Sequence, residues 1–101
     1  MTAKYLPAEL LDELDRISRE ADGPPWLAIV EGRDQLGGDS FIQVGDDGNR
    51  LTDIYVTRDR TPALAAELDV IAAARTYLPQ LLDEIRELRR RLAQFEAGDA
   101  R

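Results

Sequence analysis

The sequence predicts an α+β fold in which an N-terminal helix precedes a three-stranded antiparallel β-meander and a long C-terminal helix. Apolar residues recur at helical spacing near the start of the chain and again over its last third. Between these stretches lie three short runs rich in β-branched and aromatic residues, separated by glycine-containing loops. With 101 residues, 44% of them hydrophobic, residues 1–101 fit a single α-β-β-β-α domain.

The first helix is predicted from PAELLDELDRISREA, residues 7–21, which gives about four turns of amphipathic helix. Pro7 suits the first turn because its missing N–H would have no helical partner there. The sequence DGPP at residues 22–25 ends the helix, and residues 1–5 are expected to be flexible. The apolar face consists of Leu10, Leu14, Ile17 and Ala21, with Leu6 and Leu11 beside it.

Three strands are predicted at residues 26–31, 40–44 and 51–57, joined by the loop GRDQLGGD and the turn GDDGNR. Side chains alternate between the two faces of a sheet, so each strand contributes to both. The face expected beneath the helices carries Leu27, Ile29, Ile42, Val44, Ile54 and Val56. The opposite face carries Trp26, Ala28, Val30, Phe41, Gln43, Asp53 and Tyr55, and is apolar enough to be covered by a partner or to bind a ligand.

The C-terminal helix follows a linker at residues 58–63, with Thr61 as N-cap and Pro62 at the first helical position. Pro79 removes one backbone hydrogen bond, so the helix is expected to be kinked or broken near Thr76–Leu78. It is expected to end near Phe95, with residues 98–101 flexible. Its apolar residues recur at alternating three- and four-residue steps and form the predicted stripe: Ile71, Ala74, Leu78, Leu81, Ile85, Leu88, Leu92 and Phe95.

The predicted stripe, over residues 71–95, is longer than a small sheet can cover. A five-residue strand spans about 17 Å, whereas a helix rises about 1.5 Å per residue. We therefore expect its first half to pack within the protomer and its second half to pair with another copy, a dimer being favoured. The predicted interface consists of Ile85, Leu88, Leu92 and Phe95. The alternative is that the whole stripe covers the sheet and the first helix.

Composition argues against several functional classes. The chain has no cysteine and no histidine, so it lacks thiol nucleophiles, the usual transition-metal ligands and the commonest general base. We expect no enzymatic activity, no cofactor and no metal site. A net charge of -7 makes nucleic acid an unfavourable partner. Because no run of eighteen apolar residues occurs, no membrane association is expected and a cytoplasmic protein is the simplest interpretation.

Two groups of residues are candidates for binding a small ligand. In the first loop, Arg33 could hold a phosphate or carboxylate while Asp34, Gly37 and Gly38 shape the backbone around it; the alternative is ordinary turn chemistry. In the sheet, Trp26, Phe41 and Tyr55 could form an aromatic patch for stacking; the alternative is packing. The arginines between residues 86 and 91 either bind an anion or form ion pairs with Asp83, Glu84 and Glu87.

Two stretches, PPWLAIVEGRDQLGGDSFIQVG with DIYVTRD and LDVIAAARTYLPQLLDEIRELR, resemble small uncharacterised proteins of actinobacteria and their phages. The second stretch is similar to the end of Ead-type phage proteins. Val70 stands where that family usually has an aromatic residue, and the N-terminal helix is an addition. The likeness is carried by Val70, Ile71, Ala72, Ala73, Ala74, Arg75, Pro79, Leu82, Glu84, Leu88 and Arg89.

The resemblance implies a phage- or prophage-related accessory protein whose partner is a host or phage protein. Together with the predicted stripe, it favours a non-enzymatic protein-interaction module that self-associates through its C-terminal helix. The alternative function is binding or sequestering a small ligand such as a nucleotide, using the loop around Arg33 and the arginines of the helix.

Overall fold

The computed structural model describes residues 5–99, with the side chain of the last of these left out, and it confirms the α+β fold. The N-terminal helix, the three-stranded antiparallel sheet and the long C-terminal helix are all present. The ends predicted to be flexible fall mostly outside the described residues, at 1–4 and 100–101. Within 5–99 the elements are α1 (Ala8–Glu20), β1 (Trp26–Ile29), β2 (Phe41–Val44), β3 (Thr52–Ile54), β4 (Thr57–Arg58), β5 (Thr61–Pro62) and α2 (Ala65–Asp99).

The main sheet has the order β1-β2-β3, and all its neighbours are antiparallel. Trp26 pairs with Val44, and Ala28 pairs with Ile42. Directly opposite residues share a face, so Leu27 lies with Gln43 instead. The predicted face of β1 is therefore wrong: a one-residue difference in register moves every β1 side chain to the other side. One cluster of the core consists of Ile42, Ala63 and Leu68, packed against Trp26, Ala28, Val30, Ile54, Val56 and Ile71.

The predicted third strand is shorter than expected, and the predicted linker after it is a small hairpin. The backbone leaves β3 after Ile54, and β4 then pairs with β5. The Thr61 hydroxyl donates to the Arg58 carbonyl inside this hairpin, so Thr61 does not cap a helix. The helix starts later, at Ala65, where the Glu67 carboxylate accepts from the N–H of Leu64 at 2.8 Å.

Helix α2 runs for 35 residues through Pro79 without interruption. Of the two alternatives predicted near Pro79, a kinked or a broken helix, the broken one is wrong. The helix also continues past the expected end at Phe95, through Gly98 to Asp99. At about 1.5 Å per residue its length is about 50 Å, and it accounts for most of the 65 Å long axis of the described molecule.

The side chain of Thr76, in the middle of α2, ties this helix to the edge strand β1. Its hydroxyl accepts from the N–H of Trp26 and donates to the carbonyl of the same residue, both at 3.0 Å. The indole N–H of Trp26 donates to the carbonyl of Asp22 in the connection from α1. The junction of α1, β1 and α2 is thus held by hydrogen bonds as well as by packing.

Helix α1 packs along α2 through a face that differs from its predicted apolar face. Its buried side chains are Leu11 and Ser18. Leu10 and Ile17, from the predicted face, are exposed, and Leu14 is half-buried. The helix therefore buries a mixed polar and apolar face, and leaves much of its more apolar face uncovered.

Candidate association surface

Helix α2 packs within the protomer through residues that are out of phase with the predicted stripe. Its fully buried side chains include Leu68, Ala72 and Leu82, which are separated by four and ten residues. Three arginines continue the same alternating three- and four-residue spacing. Two of them donate hydrogen bonds to side chains of α1, and the third donates to the carbonyl of Leu6, just before α1. We call this set the contact stripe: Leu68, Ala72, Arg75, Pro79, Leu82, Arg86 and Arg89.

Arg75 joins α2 to the end of α1. Its Nη1 donates to the Ser18 hydroxyl at 3.0 Å, and its Nε donates to the carbonyl of Asp22 at 2.9 Å. Ser18 is 5% exposed, so this bond satisfies a buried hydroxyl. Arg75 thereby fixes the place where α1 ends against α2.

Arg86 and Arg89 join α2 to the first half of α1. Arg86 donates to Asp12 at 2.8 Å and to Asp15 at 3.2 Å, and Arg89 donates to the carbonyl of Leu6 at 2.8 Å. Partial desolvation acts to raise the pKa of the Asp15 carboxyl, but ion pairs with Arg86 and Arg19 lower that pKa below its ordinary value. The antiparallel placement of α1 along α2 is therefore set by ionic hydrogen bonds at both ends.

With the contact stripe turned inward, much of the predicted stripe faces outward. Leu88, Leu92 and Phe95 are 62%, 56% and 69% exposed. They are three of the four residues of the predicted interface, and the fourth, Ile85, is half-buried. Leu81 is 51% exposed, so the expectation that the first half of the stripe packs within the protomer is wrong at this position.

Tyr77 extends the exposed region toward the N-terminus of α2, and sequence reasoning missed it. It precedes Leu81 by four residues and is exposed to a similar degree. Its spacing to Leu81 could have identified Tyr77 from the sequence, because residues four apart lie on one helical face. The association surface is defined as Tyr77, Leu81, Leu88, Leu92 and Phe95.

Two open clefts border the association surface. One has a volume of about 500 Å³ and lies where the start of α1 meets α2. The other has a volume of about 530 Å³ and lies farther along α2. The first is lined by Tyr5, Leu6, Pro7, Ala8, Leu88, Arg89 and Leu92, and the second by Tyr77, Gln80, Leu81, Asp83 and Glu84.

The end of α2 extends beyond the start of α1. All side chains from residue 90 to residue 98 are exposed. A helical segment of this length, about nine residues, is marginal in water without tertiary packing. It nevertheless carries Leu92 and Phe95, which gives it an apolar side to bury.

Arg90 and Arg91 form ion pairs within α2. Arg90 binds Glu87 through two hydrogen bonds, and Arg91 binds the same carboxylate at 2.9 Å. Hydrogen bonds from Arg90 and Arg91 lower the pKa of the Glu87 carboxyl to about 2. The Glu87–Arg91 pair is as predicted, whereas the pairs expected for Asp83 are replaced because Arg86 binds α1 and Arg90 binds Glu87.

The candidate ligand residues of the first loop are engaged with one another and with α2. Arg33 donates two hydrogen bonds to Asp69 on α2 and one to Asp34, each at 2.9 Å. These carboxylates raise the pKa of Arg33, and the Asp34 carboxylate also accepts from the N–H of Val30. Gly37 and Gly38 have φ near +80°, as turn chemistry requires. The guanidinium that could have held an anion is thus paired to two carboxylates.

The predicted aromatic patch is divided between the two faces of the sheet. Phe41 and Tyr55 lie together, with ring centroids 5.4 Å apart, and the guanidinium of Arg50 lies 5.5 Å from the centre of the Phe41 ring. Trp26 shares the other face with Val44 and the core. The outward face is partly covered by its own side chains: Phe41 lies under Arg50, and Gln43 is buried with its amide bonded to the Gly45 carbonyl.

Comparison of the chain with family models, with curated proteins and with solved structures gives no match. Over the part of the chain that the structure describes, neither helix has a stretch long and apolar enough to cross a membrane. Among the same residues, no group of three or more acidic side chains is arranged to hold a metal ion.

Proposed function

We propose that this protein acts by binding other proteins rather than by catalysis, and that it self-associates through the association surface. The observation that carries the proposal is the exposure of Leu88, Leu92 and Phe95 along one side of the end of α2, where the start of α1 lies beside Leu88 and Leu92 but leaves them mostly exposed. An apolar surface of this kind on a small domain is typical of an interaction site. The chain would act as a phage- or prophage-related accessory protein on a host or phage partner.

The geometry favours this function over small-ligand binding. The ligand alternative needed Arg33 to be free and the three aromatic residues to lie together. Arg33 is paired to Asp34 and Asp69, and Trp26 lies on the sheet face opposite to Phe41. The association surface, by contrast, already brings its apolar side chains onto one side of α2.

Sedimentation velocity over a range of protein concentrations tests self-association. We expect the wild-type chain to shift from monomer to dimer, and Leu88→Asp and Leu92→Asp each to remain monomeric, because burying an unpaired carboxylate in an apolar interface is strongly unfavourable. The circular dichroism of both variants should stay close to that of the wild type, since both positions are exposed in the protomer.

Val70→Asp serves as the matched control. Val70 is another exposed apolar residue of α2, at 63%; it lies seven residues before Tyr77, beyond the N-terminal end of the association surface. This variant should dimerise as the wild type does. A wild-type chain that stays monomeric at every concentration would refute the proposed self-association.

A further inference from the structure

We infer that the occupant of the association surface is a second copy of this chain, packed antiparallel about a two-fold axis near Leu88. This inference rests on the proposed self-association and adds its geometry. Three observations support it: the area of the exposed apolar surface, the arrangement of charges beside it, and the length of helix left uncovered.

The apolar surface continues from α2 onto α1. A cleft brings Leu6, just before α1, and Leu11 of α1 together with Ile85 and Leu88 of α2. Leu10 and Ile17, both exposed, are seven residues apart and therefore lie on the same side of α1. Both helices therefore present apolar residues beside their mutual contact, and a partner can cover the two together.

The area of this two-helix surface suits a dimer. The exposed parts of its large apolar side chains amount to roughly 800 Å² when their sizes and exposures are combined. A stable interface of standard size buries about 800 Å² on each partner. The residues concerned are Leu6, Leu10, Ile17, Tyr77, Leu81, Leu88, Leu92 and Phe95.

The charges next to the association surface are complementary in the antiparallel arrangement. Glu84 lies four residues before Leu88, and Arg91 lies three residues after it. Among the residues that the structure describes, Glu84 has no ion-pair partner. A two-fold axis near Leu88 places Glu84 opposite Arg91 of the second copy, whose guanidinium already binds Glu87 of that copy and can donate to both carboxylates. In a parallel pair, equivalent positions lie on opposite flanks of the contact, so Glu84 would not meet Arg91.

The uncovered end of α2 has a place in the same arrangement. With the axis near Leu88, Phe95 of the second copy lies opposite Leu81, and its Leu92 lies between Leu81 and Leu88. The segment from residue 90 to residue 98 thus packs on the part of α2 that the sheet and α1 leave exposed. The antiparallel arrangement buries Leu81, Leu88, Leu92 and Phe95 of both copies and places Tyr77 at the edge of the contact.

Disulfide trapping tests the geometry, because the natural chain has no cysteine. Two full-length variants are made, Glu84→Cys and Arg91→Cys, both at exposed positions. They are mixed while reduced, oxidised, and examined by intact mass. In the mixed antiparallel dimer, one Glu84–Arg91 pair remains and the two cysteines replace the other. We expect the Cα atoms of these cysteines to lie within the roughly 7 Å that a disulfide allows.

We expect the mixture to give the disulfide between the two variants in about tenfold excess over either homodisulfide, because equivalent positions are offset by about 10 Å along the helix axis. Homodisulfides from each variant alone, without the mixed disulfide, would show that equivalent positions meet, and they would overturn the inference. A wild-type dimer in sedimentation without the mixed disulfide also overturns it, while leaving the proposed self-association standing. A wild-type monomer overturns both.

Discussion

Gly45, at the end of β2, has a backbone conformation and surroundings that exclude a side chain. Its φ is +93°, and its N–H donates to the carbonyl of Pro25 at 2.9 Å. A Cβ atom built there would lie 2.2 Å from the carbonyl oxygen of Asn49. The turn between β2 and β3 can therefore close only because residue 45 is glycine.

We expect Gly45→Ala to lower the free energy of unfolding by about 2 kcal/mol or more, because the new methyl group meets backbone and the left-handed φ is strained. Urea denaturation measures the change. Gly23→Ala is the matched control: its Cβ would have no heavy atom within 4 Å, so its effect should be much smaller. Equal effects at the two positions would contradict the assigned strain.

At the scale of elements, the two helices are joined through a stripe in which arginine replaces apolar residues. Arg75, Arg86 and Arg89 continue the helical spacing of the buried Leu82, and their guanidinium groups reach acceptors on α1 or just beyond its ends. Long arginine side chains can cover apolar surface while keeping the charged group hydrogen-bonded. This contact leaves the more apolar sides of both helices free for a partner.

The adjacent residues Leu81 and Leu82 differ in burial, so their variants distinguish folding from the proposed self-association. Leu82 is 2% exposed, so Leu82→Ala should lower the free energy of unfolding of the protomer by about 2–5 kcal/mol. Leu81→Ala should change protomer stability little, because its side chain is half in solvent. Chemical denaturation at concentrations below dimer formation measures the protomer.

The same two variants are then compared at higher concentrations by sedimentation. Leu81→Ala should weaken the dimer, since it removes part of the association surface. If Leu81→Ala destabilised the protomer as much as Leu82→Ala does, the orientation of α2 described above would be wrong.

The order of the elements could be predicted from the sequence, whereas the side of each element that faces the core could not. The helix and strand periods and the Gly and Pro residues place α1, the sheet and α2. In β1, however, the run from Trp26 to Val30 is apolar throughout, so nothing in its pattern distinguishes the two registers. In α2, the charges of Arg75, Arg86 and Arg89 conceal the contact stripe from any search for apolar periodicity.

Part of the candidate site could be predicted from the sequence, and part could not. Leu88, Leu92 and Phe95 could be placed on one side of α2 because helical spacing alone determines it. The ion pair between Arg33 and Asp69 could not be predicted, since the two residues are 36 positions apart and meet only in the folded chain.

For the whole molecule, exposed ion pairs make the free energy of unfolding depend on pH mainly at acidic pH. The pKa of the Glu87 carboxyl is lowered to about 2, and ion pairs with Arg33 and Arg16 also lower the pKa values of Asp69 and Glu13. A carboxyl with a lower pKa in the folded state binds fewer protons there than in the unfolded chain. Its stabilising contribution is present above the unfolded pKa, near 4, and is lost as pH falls toward the folded pKa.

We expect the melting temperature of the chain to change little between about pH 5 and 8, where the carboxylates stay ionised and the sequence has no histidine to titrate. It should fall between about pH 4.5 and 2, and the fall should be smaller at high salt because exposed pairs are screened. Thermal denaturation monitored by circular dichroism across this range measures the direction in which the melting temperature changes with pH. A melting temperature that rises on acidification from pH 5 to 3 would contradict the assignment.

Trp26, the single tryptophan of the sequence, gives the molecule an optical reporter that is separate from its association surface. Its indole is bonded to the carbonyl of Asp22 and packed on the core, whereas Tyr77 lies on the exposed side of α2. Emission from the indole therefore follows the integrity of the α1–β1 junction, and, once Tyr5 and Tyr55 are replaced by phenylalanine, tyrosine absorbance follows the environment of Tyr77 on the helix surface. Folding and assembly can thus be recorded at two wavelengths in one unlabelled sample.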